Sequence, residues 1–200
     1  MLFVTSDWHL GHERIIPLCD RPFKDVNHMH EVLIANYNSR VDPLDDAFVL
    51  GDVAMGTFAE TIKIVRRFNG DKYLVPGNHD RISGHESEAR QARFLPMYMD
   101  VFFAVCDEVE RVHLSSEAHP RAPVVNVSHY PYNGDSQRED RYDQLRPYDD
   151  GAVLLHGHTH SKEKISRSAK GSLQINIGVD AWDYFPASEA EILQLIRENR

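Results

Sequence analysis

A chain of 200 residues that is 42% hydrophobic and 26% charged has the make-up of an ordinary globular protein of one domain, long enough to bury a core. A formal net charge of -9, with no Lys and Arg cluster longer than Arg66-Arg67, opposes a polyanion and excludes a long nucleic-acid duplex as substrate. The two cysteines, Cys19 and Cys106, form no C-x-x-C pair, and the opening MLFVTSDWHL has neither a basic flank nor a long apolar run, so no disulfide framework, zinc-thiolate site, signal peptide or membrane span is expected; the expectation is a cytoplasmic protein.

In chain order, LFVTSD reads as a buried strand that ends in a polar turn. A helical pattern follows over Val26 to Asn38, then the strand AFVLGD. Phe58 to Phe68 reads as a second helix with Phe58, Ile62, Val65 and Phe68 on one face and Gly70 as its stop. Three further apolar runs, KYLVPGNHD, PVVNVSHYP and AVLLHGHTH, again end in chemically loaded turns. Between the last two, the polar run from Asn133 to Asp150 reads as a long loop, expected to border the pocket and limit substrate size. Ser188 and Glu191 have capping-box spacing ahead of an apolar stripe of Ile192, Leu195 and Ile196, which predicts a closing helix. The alternation is α/β, and with no repeat and no linker a single domain over residues 1–200 is expected.

The strand ends carry Asp7, His9, Asp52, Asn78, His79, His129, His158 and His160. Imidazole nitrogen with carboxylate or amide oxygen is the donor set of a borderline or hard divalent cation. In an open α/β sheet, ligands collect outside the carboxyl ends of the strands, so these distant residues are expected to converge. In Asp7-Trp8-His9 and His158-Thr159-His160, residues two apart point the same way if the backbone is extended. Gly51, Gly77 and Gly157 directly precede ligand candidates, as where backbone turns tightly or approaches a metal or phosphate. His28, His30, His85, His113 and His119 fit no such template and read as surface or core residues.

D-x-H at Asp7, G-D at Asp52, G-N-H-D over Gly77 to Asp80, the lone His129 and G-H-x-H over Gly157 to His160, in this order, resemble the calcineurin-like metallophosphoesterase family. Ser6 to His12 and Asn176 to Asp180 further resemble a group of small bacterial and phage phosphoesterases. The resemblance implies a four-layer α/β/β/α sandwich with two mixed sheets. It implies two divalent metal ions (Mn, Fe, Zn, Co or Ni): Asp7, His9 and His160 would hold one, Asn78, His129 and His158 the other, with Asp52 bridging them and His79 on the phosphate. Such cations share a water acidified toward neutrality, and this bridging hydroxide attacks phosphorus without a protein nucleophile.

Protein phosphatases and symmetrical dinucleotide hydrolases of that family carry an arginine before G-N-H, where this chain has Pro76. By resemblance this places the chain nearer the branch that hydrolyses small phosphodiesters, such as 2′,3′-cyclic nucleotides, and leaves phosphomonoesters open. A nuclease acting on short single strands and a non-catalytic binding scaffold of the same fold are the alternatives. Asp80 is expected to orient the His79 imidazole and favour its charged form. His12 and Arg14 follow the first ligand pair closely enough to reach substrate, and of Tyr130 and Tyr132, which flank Pro131 just after His129, one has a ring able to stack on a base or simply to pack. His156 reads either as support for a ligand or as a buried strand end.

Overall fold

The computed structural model describes residues 1–114 and 123–199, and His119 lies outside them. Ten strands form: β1 (Leu2–Thr5), β2 (Asp46–Val49), β3 (Asp71–Leu74), β4 (Ala104–Val105), β5 (Val109–His113), β6 (Val124–Ser128), β7 (Leu154–His156), β8 (Ile165–Arg167), β9 (Leu173–Asn176) and β10 (Ala187–Ser188) among the described residues. One sheet has the order β10-β1-β2-β3-β4, parallel except for β10 on β1; the other has the order β5-β6-β7-β9-β8, with β6, β7 and β9 parallel and both outer strands antiparallel. Both sheets are mixed, as the resemblance implies.

Period-two alternation assigns the faces of the first sheet. Phe3, Ala47, Val49 and Leu74 turn toward a core built with α2 (Val26–Asn38), whereas Val4 and the following Leu50 and Val75 join a core with Val125, Val127, Leu155 and Ile175 of the second sheet. Numbering the helices in chain order, α1 is Ile15–Leu18, α3 Phe58–Thr61, α4 Glu88–Met99 and α5 Glu189–Glu198. Asp25 caps α2 by accepting from the His28 N–H, and Met29, Leu33, Ile34 and Tyr37 form its buried stripe.

The expected second helix is only half α. It stops at Thr61 and continues as a 3-10 turn over Ile62–Arg67. Ile62, Val65 and Phe68 are spaced by threes and all are buried, a spacing that three residues per turn keeps on one face. The closing helix has its capping box at Ser188 and Glu191, and it buries Ile192, Leu193 and Ile196 while Leu195 packs only at the margin. Residues 133–150 contain one 3-10 turn, Asp143–Leu145, and are tied to the second sheet at both ends: Asn133 N–H donates to Gln174 Oε1 at 3.3 Å, and Asp150 Oδ1 accepts from Asn126 Nδ2 at 3.3 Å. No helix among the described residues is long and apolar enough to cross a membrane.

Candidate metal centre

The loops after β1, β2, β3, β6, β7 and β9 meet at one point, where the two sheets share a core. Asp7, His9, Asp52, Asn78, His129 and His158 are all buried there. Asp7, His9, Asp52 and His160 each present a donor atom within 4.8 Å of the others. A second group adjoins it: Asn78 Oδ1 lies 3.1 Å from His129 Nε2 and 2.8 Å from His158 Nδ1. Asp52 stands between them, with Oδ2 3.4 Å from His9 Nε2 and Oδ1 3.6 Å from His129 Nε2. The His79 imidazole, 43% exposed, looks onto the same carboxylate with Nε2 4.0 Å from Oδ2.

The ligand pairs are not presented from extended backbone, as the two-apart spacing suggests. Asp7, His9, Asp52, His158 and His160 all have positive φ, between 51° and 70°. Left-handed backbone at non-glycine residues is costly and persists where surrounding structure over-determines it. Here that structure is hydrogen bonding: Asp7 N–H donates to Gly51 O at 3.1 Å, His9 N–H to Asp52 O at 2.9 Å, and His158 N–H to Asp7 Oδ2 at 3.1 Å. Trp8 between the ligands is buried against the core, stacked on Phe68 with ring centroids 4.2 Å apart. The glycines are sites of close approach: a Cβ on Gly77 would stand 2.5 Å from Asp52 Oδ1, and one on Gly157 would stand 2.4 Å from Asp7 Oδ2.

Burial raises the Asp7 and Asp52 carboxyls above their ordinary range, and burial likewise lowers His9 and His129 and brings His158 down to about 3. His9, His129 and His158, held neutral beside desolvated carboxylates, offer imidazole lone pairs to a cation. His9 Nε2 is buried without a hydrogen-bond partner. An orphaned imidazole nitrogen facing a buried carboxylate, with an amide oxygen and further imidazoles around it, fits a divalent metal ion.

Two expectations need correction. Asp80 does not orient His79: its carboxylate is fully buried and accepts from Asp52 N–H at 2.8 Å, Gly77 N–H at 2.8 Å, Val53 N–H at 3.2 Å and Tyr98 Oη at 3.2 Å, so its oxygens are spent on locking two loops together. Tyr130 cannot stack on a base, because its ring is wholly buried between His129 and His158, at centroid distances of 4.9 and 5.2 Å. The other flanking candidates lie at the rim. His12 Nδ1 is 3.4 Å from His9 Nδ1, and Arg14 is exposed at the start of α1. His156 is a buried strand end with Nδ1 2.9 Å from Gly157 O, and His30 accepts from Gly11 N–H at 2.8 Å.

Three residues that sequence reasoning left unassigned support the centre. Asp180 Oδ2 lies 2.9 Å from His160 Nδ1 and is gripped by Arg21, which is buried and also donates to Asp7 O at 2.9 Å. Burial opposes a charge on His160, but hydrogen bonds to Asp180 and Cys19 together with the carboxylates of Asp7 and Asp180 outweigh it and raise the imidazole to about 11. Asp135 Oδ2 lies 2.9 Å from His158 Nε2 and is paired with Arg141 and Arg146. Asp180 sits in the stretch that carries the finer resemblance, which was its only signal. Arg21 and Asp135 had none, since nothing local marks a charge that becomes buried by distant partners.

Fold and site together define a phosphoesterase architecture whose buried Asp and His cluster is suited to divalent metal. The calcineurin-like phosphoesterase model matches residues 2–162, and the chain belongs to that family. It is 35% identical over 197 residues to the Gene 66 protein of Mycobacterium phage L5, covering 96% of this chain and 92% of that protein. Among solved structures it is similar to the protein of unknown function AQ665 from Aquifex aeolicus, with 26% identity, a TM-score of 0.70 and 98% of each chain covered.

Proposed function

We propose that the chain hydrolyses small phosphodiesters, 2′,3′-cyclic nucleotides among them, using two divalent cations held on either side of Asp52. One observation carries this reading: the two oxygens of a single buried carboxylate face two separate donor groups, Oδ2 toward His9 and Oδ1 toward His129. Asp7, His9 and His160 complete the first site, and Asn78, His129 and His158 the second. When bound, such cations supply Lewis acidity toward a phosphoryl oxygen and generate the hydrolytic nucleophile from water, so no serine or cysteine nucleophile is required.

The chain's own residues then bind and move protons. The half-exposed His79 stands over Asp52, and its role in this reading is to contact the phosphate and donate a proton to the departing oxygen. Its main-chain N–H donates to Asp52 Oδ1 at 2.8 Å, which ties acid and bridge into one rigid unit. Asp135 anchors the loop of residues 133–150 on His158, so that loop is a wall that favours small substrates. Arg66 and Arg67, the longest basic run in the sequence, are each paired with a carboxylate, of Asp100 and Glu31, which weighs against their gripping a long strand.

The test is a screen of protein loaded in turn with Mn, Fe, Zn, Co and Ni against an aryl phosphodiester, an aryl phosphomonoester, 2′,3′- and 3′,5′-cyclic nucleotides and short oligonucleotides. Fastest turnover is expected on the aryl diester and the 2′,3′-cyclic nucleotide. Preference for oligonucleotides would make the chain a nuclease, and turnover of nothing with any metal would leave a binding scaffold.

A further inference from the structure

A cavity of about 230 Å³ adjoins the centre, with Asn78, His79, Arg81, Glu86 and Arg90 among its walls. Glu86 and Arg90 neutralise one another, with Arg90 Nε 2.9 Å from Glu86 Oε1. Arg81 is different. Its guanidinium has neither a hydrogen-bond acceptor nor a carboxylate partner among the described residues, and its contacts there are with rings: its central carbon stands 4.5 Å from the Phe58 centroid and 4.6 Å from that of Phe94. Stacking on aromatic rings restrains a guanidinium while leaving its in-plane N–H edge available.

The position of Arg81 is also coupled to the centre. Its main-chain N–H donates to Tyr98 Oη at 3.0 Å, Tyr98 Oη donates to Asp80 Oδ1 at 3.2 Å, and Asp80 Oδ2 accepts from Asp52 N–H at 2.8 Å. Three hydrogen bonds therefore hold the backbone of Arg81 in register with the residue that joins the two donor groups. A pre-positioned guanidinium, unmatched in a chain of net charge -9, beside a centre suited to phosphate, offers the planar donor fork that a phosphate accepts.

Building on the phosphodiesterase reading above, we infer that this cavity binds a second phosphate of the same substrate, so that a phosphodiester carrying one phosphate at Asp52 and a further one at Arg81 is favoured over its counterpart without the second. The second phosphate is joined to the first either through an anhydride oxygen or across a sugar, and the chemistry at Arg81 is the same in both.

Calorimetric titration of Mn-loaded protein with AMP, with the non-hydrolysable α,β-methylene analogue of ADP, and with adenosine 3′,5′-bisphosphate tests this and separates the two linkages. Wild-type protein is expected to bind at least one two-phosphate ligand about tenfold or more tightly than AMP, the scale of one charge-assisted pair. Arg81→Gln is expected to abolish that preference and Arg81→Lys to restore part of it. Should Arg81→Gln unfold because Phe58 and Phe94 lose their cover, Arg81→Met keeps the apolar contact without the charge. No preference in the wild type, or a preference that survives loss of the charge, overturns the inference. Turnover of an aryl phosphodiester, measured in parallel, keeps the two readings apart. Turnover without an Arg81-dependent preference removes the second phosphate site alone, whereas the preference without turnover removes the hydrolytic reading alone.

Discussion

Asp180 and His160 lie 2.9 Å apart, and the same Asp180 carboxylate receives two N–H bonds from the buried Arg21. A candidate ligand imidazole is thus oriented by a carboxylate that is itself fixed by a guanidinium. Asp180→Asn keeps the shape and removes the charge. Divalent metal affinity is expected to fall about 10- to 100-fold, as when the partner of a ligating histidine is lost. Stability is expected to drop by on the order of 3 kcal/mol, because Arg21 is left as an uncompensated buried charge. Calorimetric titration with Mn and urea unfolding check the two effects separately.

Asp52→Ala removes the one carboxylate that faces both donor groups. Turnover should vanish and bound metal should fall to one ion per chain or fewer, measured by elemental analysis after dialysis. A variant that retains activity and two metals would end the bridging assignment.

His79→Ala tests proton donation. An alkoxide leaving group such as a ribose oxygen needs a proton in the transition state, whereas nitrophenolate leaves with its charge delocalised. The variant should therefore lose about 10²- to 10⁴-fold on a 2′,3′-cyclic nucleotide and much less on an aryl phosphodiester, with both metals retained. Equal losses on the two substrates would make His79 a clamp for the phosphate rather than an acid.

Gly51→Ala should be destabilising out of proportion to its size. Gly51 has φ +79°, and a Cβ there would stand 2.3 Å from Gly77 N and 2.9 Å from His129 Nδ1. Strained backbone and a clash with main chain together predict a loss of more than about 2 kcal/mol in urea unfolding. A loss near zero would mean that the β2 and β3 loops are free to separate.

Chelation should lower the melting temperature. The donor cluster is assembled only by folding, so metal binds the folded chain and not the unfolded one, and metal at about 100 times its Kd contributes about 2.7 kcal/mol. A melting temperature indifferent to EDTA and to added Mn would argue that no metal binds at this centre.

The sequence alone determined a good deal, because strand and helix periodicity and the residues at strand ends are local signals. It set the α/β alternation, α2, the capping box at Ser188 and the buried strands ending in Asp7, Asp52, Asn78, His129 and His158, and it marked Gly51, Gly77 and Gly157 as places of close approach. What it left open needed three dimensions. The second sheet pairs β6 with β7 and β7 with β9 across long stretches of chain, which periodicity cannot announce. The left-handed backbone of the ligand residues comes from hydrogen bonds between loops that are neighbours only in space. The same holds for charge: Asp80 looked like a partner for His79 because they adjoin in sequence, yet its carboxylate is consumed by Asp52, Val53, Gly77 and Tyr98. Arg21 and Asp135 could not be found locally, because burying a charge requires a partner and theirs lie elsewhere in the chain. A motif therefore identifies the atoms offered to a metal, while the fold decides which carboxylate remains free to face it.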